Sequence, residues 1–249
     1  MSIDSEIAYA ARVLKLPVTG ATYAGLADQG RQDGWSFEEY LAVVLSRQVA
    51  AREANGSQLR IRKAKFPRIH TLEDFNFDYQ VSAPRELIAH VGTATFIANA
   101  SNVILLGPPG TGKTHLATGI GIKAAQAGYS VAFDTATGWI TRLRHAHDSD
   151  QLAGELSRIG RYKLIIIDEL GYIPLDADSA NLFSQLVSAR YETSSIIITS
   201  NLPFARWGEA LSDPTVAAAS IDRLIHHADI IALKGESYRT RNRKQEQTK

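Results

Sequence analysis

At 249 residues, 45% hydrophobic and 21% charged, the chain has an ordinary soluble composition with room for one large core and a small extra domain. It contains no cysteine, which excludes a disulfide framework and any thiolate metal site and fits a reducing cytoplasm. A net charge of +1 gives no global signal for nucleic acid, so any phosphate-tracking surface must be local.

The first residues carry acids at Asp4 and Glu6 and lack the apolar run of a signal peptide. No stretch approaches the ~20 apolar residues of a membrane span, so a soluble, cytoplasmic protein with no membrane partner is expected. Residues 3–15 and 21–30 are rich in Ala and Leu and read as helices broken by Pro17, Gly20 and Gly30. A third helix starts at Ser36, with Glu39 completing a capping box. Tyr40, Leu41, Val44 and Leu45 recur along it at helical spacing, and Asn55-Gly56 should end it. These three define a helical N-terminal domain over 1–56. Residues 57–80 have little periodicity and hold Arg60, Arg62, Lys63, Lys65 and Arg68, so they read as a basic linker and a candidate DNA contact.

The remaining residues, 81–249, change character. From Ser101, apolar runs at 103–106, 130–133, 164–167, 195–199 and 230–233 alternate with helical stretches near 113–127, 138–146, 151–159, 178–192 and 215–227. That alternation predicts an α/β fold, a five-stranded parallel sheet covered on both faces. No internal repeat or low-complexity tract interrupts it. A second basic run, Arg239, Arg241, Arg243 and Lys244, lies beside the C-terminus.

Gly107-Pro108-Pro109-Gly110-Thr111-Gly112-Lys113-Thr114 fits G-x-x-x-x-G-K-[ST] at every fixed position, between a buried strand and a helix. The glycines let backbone N–H groups face phosphates, helped by the N-terminal end of the next helix. Lys113 is placed to reach the β- and γ-phosphates of ATP, and the Thr114 hydroxyl to ligate Mg2+. A second strand, Leu164–Ile167, delivers Asp168 and Glu169 at its C-terminal end, where such sheets bind ligands. Asp168 suits the metal, and Glu169 suits a general base for the attacking water. Asn201, after the strand beside the P-loop, suits a residue that orients that water, although an Asn before Pro203 also suits a plain turn. Arg223, on a predicted helix, is either a solvated helix residue or an arginine offered to a neighbour's γ-phosphate. His226-His227 and the pair His145 and His147 lack companion ligands and read as surface or packing residues. Trp139 and Trp207 read as core or interface.

These motifs resemble the AAA+ initiator clade of DnaA and DnaC. Longer strings are similar to the IstB family of transposition helper ATPases of insertion sequences. They are Ala64-Lys-Phe-Pro67 before Thr71-Leu-Glu-Asp-Phe75, Asp168-Glu-Leu-Gly-Tyr-Ile-Pro-Leu175, Ser200-Asn-Leu-Pro-Phe204 with Trp207-Gly208, Leu224-Ile-His-His227, and Gly235-Glu-Ser-Tyr-Arg239. The resemblance runs from about residue 36 to 241. It implies an ATPase that forms a homo-oligomer on duplex DNA, contacts the transposase of its own insertion sequence and helps deliver it to target DNA. It also implies that Asn201 is sensor 1, that Arg223 is a trans-acting arginine finger, and that Arg142 and Arg144, on a helix over Trp139–His147, touch DNA. The stretch after Leu233 is too short for the usual helical lid, so the lid is expected to be reduced or absent, with Arg239 a loose candidate for nucleotide or DNA contact. A DnaC-like helicase loader would carry the same ATPase. A small-molecule kinase would need a metabolite pocket, and a DNA-binding scaffold would not need every catalytic position filled.

Overall fold

The computed structural model describes residues 2–211 and 214–238, with Pro214 described in its backbone alone. Arg239, the second basic run and the question of a lid lie outside these residues.

The chain divides into two compact units at Leu59 and Arg60. In the first, α1 (Ile3–Val13) is capped by the Ser2 hydroxyl, α2 (Pro17–Asp33) begins on a proline, and Gly34 ends it in the left-handed region at φ 69°. The capping box then opens α3 (Phe37–Ala64): the Ser36 N–H donates to Glu39 Oε2 at 2.7 Å, and the Glu39 N–H to Ser36 Oγ at 3.2 Å. Gln48 on α3 accepts the otherwise orphaned N–H groups of Val18 and Thr19 at the start of α2.

Helix α3 does not stop at Asn55-Gly56 but runs from Phe37 to Ala64. Two weak helix formers cost about 1–2 kcal/mol, less than the helix gains by burying Ala64 and packing Ile61 on the core of the second unit. Lys65, at φ 60°, ends it. Nor is the segment 57–80 a linker in its later part. Phe66, Leu72, Phe75 and Phe77 lie against that same core, and α4 (Arg85–Gly92) buries Ile88 and Val91 there. Aperiodic aromatic residues carry no helix or strand signal, which is why this strap reads as loop.

The second unit holds a sheet in the order β2-β3-β4-β1-β5, with every pairing parallel. Its strands are β1 (Asn102–Leu106), β2 (Val131–Thr135), β3 (Leu164–Leu170), β4 (Ser195–Ser200) and β5 (Ala228–Ala232). The connecting helices are α5 (Lys113–Gln126), α6 (Ala136–Asp148), α7 (Leu152–Gly160), α8 (Ala177–Arg190), the short α9 (Trp207–Ala210) and α10 (Pro214–Ile225). Side chains alternate between two cores: Val103, Leu105, Ile166 and Ile197 face one, while Ile104, Ile165, Ile167, Ile196 and Ile198 face the other. Both faces are covered, so the strands read as continuous apolar runs. Trp139 and Trp207 are each 1% exposed and belong to the second core. Each indole N–H finds a carbonyl, Ile166 O at 2.9 Å and Leu202 O at 3.1 Å.

Candidate nucleotide site

All five strands run one way, so the loops after β1, β3 and β4 meet at one end of the sheet. There a cavity of about 1140 Å³ is lined by the loop 109–112 and by Lys113, Thr114, Asp168, Glu169 and Asn201. The sequence-predicted nucleotide and acid residues are thus together, and the strand β4 lies between the two that carry them.

The loop after β1 needs its glycines for two reasons. Gly107 sits at φ 150°, and a Cβ there would lie 2.4 Å from the Leu233 carbonyl oxygen. Gly112 sits at φ 96°, and a Cβ would lie 2.6 Å from the Phe75 ring. Any side chain would therefore clash as well as force a left-handed backbone. Gly112 gives the first turn of α5 no side-chain cap, and the N-terminal end of a helix favours an anion. The Lys113 ammonium donates to Gly107 O at 2.7 Å and Pro108 O at 2.8 Å, held on the loop whose phosphates it would meet.

The acid pair depends on an irregularity. Ile167 pairs with Ile198 but Leu170 pairs with Ser200, so Asp168 and Glu169 together face the single residue Thr199. This bulge breaks the strict alternation of the strand. Asp168 stays buried at 4% exposure, while Glu169 enters the left-handed region at φ 61° and turns its side chain to solvent. Such a backbone costs on the order of 1–3 kcal/mol in a non-glycine residue and needs a partner to hold it. Thr199 is that partner. Its Oγ1 donates to Asp168 Oδ1 at 2.5 Å and accepts the Glu169 N–H at 2.9 Å. Thr114 Oγ1 approaches the other side of Asp168, 3.0 and 3.1 Å from its two oxygens.

The donor set of Thr114 hydroxyl and Asp168 carboxylate is all hard oxygen and fits Mg2+. Thr199 carries no motif signature, and only the pairing of β3 with β4 reveals it. Removing its hydroxyl with Thr199→Val is expected to lower kcat about 10- to 100-fold, the worth of one hydrogen bond to a charged group, with KM for ATP little changed. Thr199→Ser should restore most of the rate. Equal losses in the two variants would leave Thr199 as packing only.

Segments that the sequence leaves unassigned close the cavity. The Tyr238 N–H donates to Gly110 O at 3.0 Å, and the Tyr238 ring meets Tyr79 edge-on at 4.9 Å between centroids. Buried Gln80 donates to Thr111 O at 3.1 Å, from the strap that periodicity alone assigns to a linker. His70 and His115 stack at 4.6 Å on the same wall. Burial, then the neighbouring His115, lowers the His70 pKa and favours its neutral form.

Other candidates lie elsewhere. Arg223 does not line this cavity. The Leu224 carbonyl that follows it accepts from the Asn102 side chain at the start of β1, and Asn102 pairs with Ala228 at the start of β5. Arg223 is therefore at the opposite end of the sheet, about 16 Å away along a five-residue strand. Its guanidinium donates to Ser188 Oγ on α8 at 2.8 Å.

Of the expected DNA contacts, Arg62, Lys63 and Lys65 are exposed, but Arg60 donates to Ala125 O at 2.6 Å and closes the end of α5. Arg142 on α6 pairs with Glu155 of α7 and lies 5.4 Å from the Trp139 ring centroid. Arg144 bonds Asp176 at 2.7 Å and Ser179 at 2.6 Å. The Arg144 hydrogen bond, followed by the Ser179 N–H, holds the Asp176 pKa down to about 2, so this pair is charged at neutral pH. Both arginines thus have partners on neighbouring helices, which sequence spacing within α6 does not reveal.

Among the described residues no helix is long and apolar enough to cross a membrane. The family model for IstB-like ATP binding proteins matches residues 9–246. The protein named for ATP binding in insertion sequence IS21 of Pseudomonas aeruginosa is 38% identical over 219 residues, 88% of this chain and 83% of its own length. Its counterpart in IS5376 of Geobacillus stearothermophilus is 38% identical over 236 residues, covering 95% and 94%. Among solved structures, the DnaC helicase loader aligns over 70% of this chain and 99% of its own, at TM-score 0.54 and 22% identity. DnaA bound to AMPPCP and single-stranded DNA aligns over 69% and 52%, at TM-score 0.52 and 18% identity. These two likenesses are of fold: the same parallel sheet with flanking helices recurs in DnaC and DnaA. The match along the chain establishes more: it belongs to the family of IstB-like ATP-binding proteins.

Proposed function

We propose that the protein is a Mg2+-dependent ATPase that assembles on duplex DNA as a homo-oligomer and assists the transposase of its insertion sequence in choosing a target, working in the cytoplasm. The observation that carries the ATPase part of this reading is the bulge that sets Asp168 against Thr114 while Glu169 and Asn201 line the same cavity. The backbone N–H groups of 110–114 and the Lys113 ammonium bind the phosphates of ATP. Thr114 and Asp168 would hold Mg2+, which would supply positive charge against the triphosphate. Glu169 accepts a proton from water as its oxygen attacks the γ-phosphorus, while Asn201 orients that water. The bond from the γ-phosphorus to the bridging oxygen breaks, leaving ADP and phosphate. The position of Arg223, a strand's length from its own P-loop, supports a role in a neighbour's site.

The insertion-sequence relatives, 38% identical over nearly the whole chain, favour transposition over helicase loading, for which the support is a likeness of fold at 22% identity. Duplex DNA is proposed to lie against Arg142 and Arg144 on α6, with the exposed Arg62, Lys63 and Lys65 as a second contact. The test follows ATP hydrolysis and DNA affinity together, with no metabolite acceptor present. Duplex DNA is expected to raise hydrolysis. Changing Arg142 and Arg144 together to Ala should weaken binding alike across sequences, because phosphate contacts carry no base information. It should also make the slope of log affinity against log salt shallower by about two. Hydrolysis indifferent to DNA would overturn the reading. An unchanged slope would move the DNA surface to the Arg62–Lys65 turn.

A further inference from the structure

Away from the nucleotide site, the turn after α8 meets the turn between α10 and β5. There Glu192, His226 and His227 are all exposed, and one ligand atom from each lies within 4.8 Å of the others. We propose that these three residues bind a divalent transition-metal ion of the Zn2+ or Co2+ type.

The frame is built before any ion arrives. Glu192 is held at φ 56° in a turn closed by the Thr193 and Ser194 N–H groups, which both donate to Arg190 O. A left-handed backbone at a glutamate is a strained choice of the kind found at binding sites. The His226 N–H donates to Asp222 O at 3.0 Å, and the His227 carbonyl accepts the Asn102 N–H at 2.7 Å. The two rings stand 4.2 Å apart and tilted by 56°, so they present their edges separately. Tyr191 Oη lies 3.0 Å from His226 Nδ1, a hydrogen bond that orients the imidazole.

A tetrahedral ion with ligands at about 2.1 Å needs them about 3.4 Å apart, so atoms now within 4.8 Å of one another must close by up to about 1.4 Å, within reach of exposed side chains. Solvent or a fourth group completes the shell. Two imidazoles and one carboxylate select borderline ions over Mg2+ and Ca2+, which prefer oxygen alone. Arg190 and Arg223 line the same pocket as Glu192 and His227 and oppose any cation there, so an ion that imidazole binds weakly gains too little to stay. Sequence reading could not find this site, because the third ligand lies 34 positions before the histidines (226 − 192). A bound ion would pin the end of α8 to the end of α10, the helix that carries Arg223.

Co2+ titration of the full chain, without nucleotide and in excess Mg2+ to fill oxygen sites, tests the proposal through the visible absorption of the ion. One Co2+ per chain is expected, displaced by Zn2+. Glu192→Gln and His227→Gln should each weaken it at least tenfold, and changing His145 and His147 together to Ala should not. Paramagnetic broadening of the His226 and His227 ring signals in the unaltered protein gives the same answer without a variant. Absence of a Co2+ spectrum, affinity unmoved by both Gln variants, or broadening confined to other histidines would each overturn the assignment.

Discussion

Arg223→Ala is expected to leave ATP binding intact in every subunit and to reduce hydrolysis by the DNA-bound assembly about 10³-fold or more, the cost of losing an arginine finger. Geometry makes the expectation sharp. Arg223, in the last turn of α10, lies at the N-terminal ends of β1 and β5, whereas Gly107 to Thr114 follow the C-terminal end of β1. No rotamer of an arginine crosses that length of strand, so Arg223 does not touch the phosphates held by its own subunit. Mixing two inactive variants separates the possibilities. Arg223→Ala keeps its own phosphate cradle, and Lys113→Ala keeps its own finger. A mixed oligomer on duplex DNA places an intact cradle against an intact finger and should recover activity that neither parent shows. A purely structural Arg223, serving only its bond to Ser188, predicts no recovery at any ratio. Verified co-assembly without recovery would end the finger assignment.

The parts of this site legible in the sequence are those whose chemistry is local. A glycine loop between strand and helix, and a β-branched run ending in two acids, each carry their meaning within ten residues. The strands are legible for the same reason: burial on both faces writes continuous apolar runs such as Leu164–Ile167. What the sequence hides is contact between distant residues. Thr199 matters because a bulge in β3 sets it opposite two acids, and no spacing rule predicts the pairing of 168 and 169 with 199. Arg142 and Arg144 look like a bare basic helix until Glu155 and Asp176 arrive from α7 and α8. Arg60 looks like part of a basic run until it meets the Ala125 carbonyl in the last turn of α5. The strap from Phe66 to Gln80 is aperiodic because its aromatic residues fill gaps around α5 and the loop at Gly112. Asn55-Gly56 gives a true local stop signal, overridden by the burial of Ala64 further on.

Glu169→Gln is expected to bind ATP normally and to turn over on the order of 10² to 10⁴ times more slowly, the range ascribed to a positioned general base. The substitution is close to isosteric. It keeps the Glu169 backbone N–H bonded to Thr199 and leaves the contacts of Asp168 with Thr114 and Thr199 untouched. What it removes is the ability to take a proton from water, because an amide oxygen is far less basic than a carboxylate. Binding and chemistry should therefore separate. Nucleotide affinity and its Mg2+ dependence should match the unaltered protein, single-turnover hydrolysis should be slow, and assemblies formed with ATP on duplex DNA should persist longer because the γ-phosphate stays in place. This pattern differs from that of Thr199→Val, where a serine restores the rate and the base itself is intact. It differs also from Arg223→Ala, whose defect is repaired by a partner with an intact finger. A Glu169→Gln subunit lacks the base in its own cradle, so mixing with Lys113→Ala, which lacks a cradle, should restore nothing. Turnover by Glu169→Gln within a few-fold of the unaltered protein would remove Glu169 from the mechanism and leave its strained backbone without a catalytic reason.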